Sequence, residues 1–215
     1  MIRHTFALKV KKGHLHSFRA TLKQIWPELT SLLDEACIKN FSLWNCDLFV
    51  FGYGESETDA AGEIGWNKVE TLLNDHTADF ISWISVPGHP MRLMYENYGI
   101  VREKKELIRH RVFMTHLKPG CAEEYKNRHD QLAASRIQNP DPGPDSNFTI
   151  WNAGEYIFGY DEIDTAMESE ETPEAHAQTV AWETRQLEIM DWITNDVDWL
   201  IREHHPACVR IGWHG

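Results

Sequence analysis

A chain of 215 residues with 42% hydrophobic content, nine Trp and nine Phe holds enough apolar material for packed domains, which excludes an intrinsically disordered protein. Its formal net charge of −12 argues against nucleic acid or anionic lipid as partners, because both require a basic surface that displaces counterions. No apolar run approaches the roughly 20 residues that span a bilayer. The opening MIRHTFALKVKKGH lacks a signal-peptide layout, so a cytoplasmic location is expected.

Taken in chain order, RHTFALKV reads as a strand and Gly13 marks the turn after it. From Leu15, the residues Phe18, Leu22, Ile25, Trp26, Leu29, Leu32 and Leu33 recur at intervals of three and four, the stripe of a half-buried helix. NFSLWN and DLFVFGYG then form a hairpin. A second helix over roughly 66–85 and a last strand in MRLMYENYG complete the order β-α-β-β-α-β. That is the ferredoxin-like arrangement, with two helices on one face of a four-stranded antiparallel sheet. GIVREKKEL, 99–107, reads as a linker.

The rest repeats the beginning. Sliding the chain by 107 positions brings Phe6 onto Phe113, Gly13 onto Gly120, Asn40-Phe41 onto Asn147-Phe148, Trp44-Asn45 onto Trp151-Asn152 and Phe51-Gly52-Tyr53 onto Phe158-Gly159-Tyr160. The Pro-rich segment NPDPGPDSN, 139–147, and the acidic segment DEIDTAMESEETPE, 161–174, read as loops, and an offset of 109 then pairs Trp83-Ile84 with Trp192-Ile193. The expected division is a structural first repeat, 1–98, a linker, 99–107, and a second repeat with the active site, 108–215. The fold class is α+β. Packing the two repeats sheet to sheet would give a pseudo-two-fold α+β barrel, an intramolecular pseudo-dimer, with further homo-oligomerisation left open.

Duplication supplies an internal control, because positions equal in fold but different in chemistry reveal what the fold does not require. Phe18 corresponds to Tyr125 and Leu22 to His129, so two polar side chains four residues apart share a face that is apolar in the first repeat. An inward imidazole suits proton transfer near neutral pH, although a satisfied core histidine fits the spacing as well. Glu155 stands opposite Leu48, and Asp191 opposite Ser82. Trp151 and Trp192 offer flat surfaces for a sugar ring, yet Trp44 and Trp83 hold the same places, and core packing explains them equally.

Four scattered cysteines without a C-x-x-C pair read as thiols of a reducing compartment. Twelve histidines show no H-E-x-x-H or recurrent carboxylate spacing, so no metal is expected, and no dinucleotide or phosphate-loop fingerprint implies a cofactor.

Met1-Ile2-Arg3 before an apolar strand, Ile25-Trp26-Pro27-Glu28-Leu29 in the first repeat, and Tyr125, Arg128 and His129 of a Y-x-x-R-H motif in the second resemble the L-rhamnose mutarotase family. The resemblance covers both repeats. It implies an isomerase that interconverts the α and β anomers of a deoxy sugar such as L-rhamnose or L-fucose by general acid/base ring opening, without a cofactor. By that resemblance His129 is the proton donor, and Tyr125, Phe148 and Asp191-Trp192 line the sugar site; Asp191 or Glu155 is then expected to take the anomeric proton, directly or through water. Phe148 stands where the family has Tyr, and Asp191 replaces the first Trp of a pair. Two other readings remain open: a haem-binding or cofactor-free oxygenase on a similar α+β barrel, and a sugar-binding protein without turnover.

Overall fold

The computed structural model describes residues 1–57, 59–99, 101, 107–138 and 143–215. Most of the expected linker and the start of the Pro-rich loop lie outside the described residues. Two compact units emerge, one formed by 1–91 with 208–215 and the other by 92–207.

Unit 1 runs β1 (Ile2–Val10), α1 (Leu15–Glu35), β2 (Lys39–Cys46), β3 (Phe49–Ser56), α2 (Asp59–Thr77) and β4 (Ile81–Trp83). Unit 2 runs β5 (Arg92–Asn97), β6 (Ile108–Leu117), α3 (Ala122–Gln138), β7 (Asp145–Ala153), β8 (Tyr156–Asp164), α4 (Pro173–Gln186), β9 (Met190–Trp192), a 3-10 turn (Asn195–Val197) and α5 (Asp198–Ile201). The last strand, β10 (Val209–His214), returns to unit 1. The sheets are antiparallel, in the orders β10-β2-β3-β1-β4 and β5-β7-β8-β6-β9, and each ends in open edges without closing on itself.

This architecture is α+β with two ferredoxin-like repeats, altered in two ways from the sequence expectation. The second helix spans Asp59–Thr77 rather than 66–85, because Ile81-Ser82-Trp83 alternates as a short fifth strand on β1. In addition, the final strands are exchanged. The segment read as the close of the first repeat, β5, pairs with β7, while β10 takes the equivalent place beside β2. Arg92 faces Asn152 and Val209 faces Asn45, the same register on equivalent edges, so the local pattern of either strand fits both sheets.

The repeat itself is reproduced down to hydrogen bonds. Asn40 and Asn147 adopt left-handed conformations, φ 50° and 51°, at matching β-bulges, a backbone state that Asn tolerates better than most residues. Each Asn donates to a buried carboxylate at 3.2 Å, Glu55 in unit 1 and Glu162 in unit 2. Tyr53 and Tyr160 donate to the same two carboxylates at 2.7 and 2.9 Å. Satisfied in this way, Glu162 is buried, as are Asp161 and Asp164, so the first four residues of the segment expected to be a solvated acidic loop are the end of β8. The helix that follows starts where Thr172 accepts from the Ala175 amide at 3.2 Å with Pro173 in the first turn.

Unit 1 is filled by apolar side chains, with Phe18, Leu22, Ile25, Leu29 and Leu33 of α1 packed on Phe6, Phe41, Val69 and Leu73. In unit 2 the corresponding space is open.

Candidate active site

Between the sheet of unit 2 and its helices α3 and α4 lies a cavity of about 510 Å³. Small-molecule sites commonly enclose about 300–1,000 Å³.

Helix α3 presents Tyr125 and His129, one turn apart and both buried, toward this space. The His129 Nδ1 lies 2.9 Å from the Tyr125 carbonyl oxygen. A carbonyl only accepts, so Nδ1 carries the hydrogen and Nε2 of the neutral ring keeps its lone pair. The imidazole stacks on Tyr125 with centroids 4.2 Å apart and meets the edges or faces of Trp182 and Tyr95 at 5.2 and 5.5 Å. Burial in this aromatic cage pulls the His129 pKa down to about 4, against the Tyr125 carbonyl, which favours the charged form. The ring is neutral at physiological pH. Burial also raises the Tyr125 phenol well above its ordinary value, so it stays protonated.

Helix α4 turns Gln178, Trp182 and Gln186, spaced by four, and the adjacent Glu183 toward the same cavity. Burial raises the Glu183 carboxyl to about 7, opposed by Arg111, reinforced by Asp196 and opposed again by the Trp192 indole. Both amide atoms of Gln186 are buried without hydrogen-bond partners.

The sheet supplies the floor. Phe148 and Ile150 of β7, Phe113 of β6 and Tyr95 of the exchanged strand β5 are its apolar part. Arg111 lies with its guanidinium 5.1 Å from the Phe113 ring centroid and donates through Nε to Asp196 at 2.9 Å, while Thr194 fixes the other Asp196 oxygen at 2.6 Å. Beside it, Asp161 is raised to about 8, first by burial and then by the neighbouring Asp145, with Arg111 opposing. At neutral pH the site thus contains a neutral imidazole, a carboxyl that titrates there, and a cation already paired.

Of the residues singled out from sequence, His129, Tyr125, Phe148 and Trp192 meet at the cavity, and four do not. Arg128 is buried elsewhere, donating to Glu124 at 2.7 Å, to Glu188 at 3.0 Å and to the Arg185 carbonyl, a clamp between α3 and the end of α4. Asp191 stands exposed on β9, opposite His116. Glu155 occupies the exposed β7-β8 turn, 3.6 Å from His116. Trp151 alternates with Ile150 along β7 and so projects to the other face of the sheet.

Sequence reasoning missed Glu183, Gln186, Trp182, Arg111 and Tyr95. The signal for three of them was present: extending the 109 offset back through the helix places Glu183, Gln186 and Trp182 opposite Asn74, Thr77 and Leu73. Tyr95 was beyond reach, since it comes from the stretch assigned to the first repeat. Among the described residues, no three His, Cys, Asp or Glu side chains converge to hold a metal ion. None of the described helices is long and apolar enough to cross a membrane.

The sequence model of a family described as L-rhamnose mutarotase matches residues 3–83 and 110–204, one stretch per repeat. The L-rhamnose mutarotase of Flavobacterium johnsoniae is 44% identical over 43 residues, which cover 20% of this chain and 40% of that protein. The match therefore spans less than half of the relative. No solved structure matches the chain.

Proposed function

This chain belongs to the L-rhamnose mutarotase family, and from that premise we propose that its second unit interconverts the α and β anomers of L-rhamnose, acting as an isomerase. The observation that carries the reading is the pairing of a neutral His129, hydrogen-bonded through Nδ1, with a Glu183 carboxyl raised to about 7 in one buried cavity. A base and an acid that coexist at neutral pH are what ring opening requires.

His129 Nε2 takes the proton of the anomeric hydroxyl while Glu183 gives its proton to the ring oxygen, and the bond between C1 and the ring oxygen breaks. The open aldehyde rotates about its C1–C2 bond. On closure, the attacking hydroxyl returns its proton to Glu183, and the His129 imidazolium protonates the new anomeric oxygen. His129 is therefore acceptor in one half of the cycle and donor in the other. Glu183 replaces Asp191 or Glu155 as the carboxyl partner of His129, since their exposure on the strand and turn leaves them in water, and the roles are exchanged: His129, first read as the proton donor, takes the anomeric proton. Tyr125 stacks on the imidazole and holds its orientation, and Trp192 offers an apolar face to the sugar ring. The remaining cavity chemistry suits a neutral sugar.

Magnetisation-exchange NMR at the anomeric protons tests this directly. L-rhamnose exchange faster than in buffer is expected, with L-fucose as the comparison sugar. An unaccelerated L-rhamnose exchange, or a His129→Leu variant with undiminished rate, overturns it.

A further inference from the structure

One side chain on the cavity wall is used neither by the proton transfers nor by packing. Gln186 closes α4 at 1% exposure, lines the cavity, and leaves both its amide nitrogen and its amide oxygen without partners. Native interiors rarely keep a buried amide unmatched, because its lost hydration is not returned. The fold does not require it. At the equivalent place in unit 1, Thr77 donates to its own helix at the Leu73 carbonyl, 2.5 Å away, and is satisfied.

A primary amide presents one acceptor and one donor edge side by side in a plane. A carboxylate offers acceptors only and an ammonium donors only, so each would match half of it. Two hydroxyls on adjacent ring carbons match both halves, because each hydroxyl gives and accepts. We propose that Gln186 reads an adjacent pair of sugar hydroxyls, its oxygen accepting from one and its nitrogen donating to the other. This rests on the mutarotase reading, which engages the anomeric hydroxyl and the ring oxygen at His129 and Glu183. Gln186 stands three residues beyond Glu183, about 4.5 Å along the helix axis, which sets it against the far side of the ring. In L-rhamnose the adjacent pairs away from C1 are the 2,3 and 3,4 hydroxyls. Both include the 3-hydroxyl, so the specificity-determining contact is to that group.

The test uses the full chain and its Gln186→Met variant, titrated by NMR with L-rhamnose and its 2-, 3- and 4-deoxy analogues. For wild type, the 3-deoxy sugar and one of the other two bind about tenfold more weakly than L-rhamnose. The substitution weakens L-rhamnose by about tenfold while changing its kcat less than about threefold, and weakens the 3-deoxy sugar, which keeps one of the two contacts, by clearly less. The midpoint of thermal unfolding without sugar stays or rises, because an unmatched amide has been replaced by an apolar chain of similar shape. A midpoint that falls, or equal losses for L-rhamnose and its 3-deoxy analogue, makes Gln186 a structural residue and overturns the assignment. Should the variant fail to fold, the wild-type series alone decides: a 3-deoxy sugar bound as well as L-rhamnose ends it. A wild type that neither binds nor exchanges L-rhamnose removes the functional reading together with this one, whereas a normal wild type beside an insensitive variant removes this one alone.

Discussion

Two copies of one fold put the same positions to opposite use. In unit 1, Trp66 packs among Phe6, Phe41 and His4 at 5.5, 5.8 and 5.4 Å. Their counterparts in unit 2, Phe113, Phe148 and Arg111, face the cavity instead, because Ala175 stands in place of Trp66. Trp66 and Trp26 in unit 1 are each matched by a glycine. A Cβ on Gly54 would lie 2.8 Å from the Trp66 ring, and one on Gly212 would lie 2.4 Å from Trp26. In unit 2 the large and small members trade places: Asp161 stands for Gly54 beside Ala175, and Tyr95 for Gly212 beside Ala133. Beside Trp66, the recess lined by His4, Trp66 and Glu70 measures about 210 Å³, against about 510 Å³ for the cavity of unit 2. A core becomes a site here by removing two indoles and adding polar groups, with the backbone retained.

The sharpest way to break this contrast is His129→Leu, which gives unit 2 the residue of unit 1. A loss of about 10² to 10⁴ in anomer exchange is expected, with native circular dichroism. Next in effect is refilling the cavity with the pair Ala175→Trp and Asp161→Gly, which should abolish L-rhamnose binding in NMR titration while unfolding stays cooperative. The reverse change in unit 1, Trp66→Ala, should lower stability by about 3–5 kcal/mol in urea unfolding, the usual cost of deleting a buried aromatic.

The pH dependence sharpens the comparison further. His129 accepts only above about 4, and Glu183 donates only below about 7, so kcat/KM should plateau between these values and fall about tenfold per unit beyond either limb. Stability carries the same signature. Because the His129 pKa drops from 6.5 to about 4 on folding, its contribution is intact above 6.5 and is lost as pH falls through 4, to a total of about 3 kcal/mol. Glu183 and Asp161, raised on folding, act in the opposite sense and lose their contribution as pH rises toward 7 and 8. Comparing wild type with His129→Leu by denaturant unfolding from pH 7 to pH 4 isolates the histidine part. The smallest effect is expected from Leu22→His in unit 1: no gain in exchange by NMR, since Asn74 and Thr77 stand there in place of Glu183 and Gln186.

The pairing of repeats was readable because Asn40 and Asn147, with their carboxylate and tyrosine partners, repeat as a local hydrogen-bonded unit at fixed spacing. Tyr125 and His129 were readable because helical periodicity assigns them a face before any tertiary contact is known. Arg128 shares their motif and yet turns to Glu124, one turn back on its own helix, and to Glu188, just beyond the end of α4, a contact that only the packing of the two helices provides. Asp191 looked like a partner for His129 because of its neighbour Trp192, but strand alternation sends the two to opposite faces.

Sequence alone determined the duplication, the α+β class and the asymmetry of chemistry between the repeats, since all three are written in spacing and in differences at aligned positions. Which strand completes which sheet, and therefore that Tyr95 stands over His129, was decided only by tertiary structure. Equivalent edges accept either strand with the same register, so no local pattern distinguishes them. The carboxyl proposed as the acid was likewise a tertiary feature. Glu183 gains its raised pKa from burial beside residues of β6, β9 and the 3-10 turn, and such an environment exists only after the chain has folded.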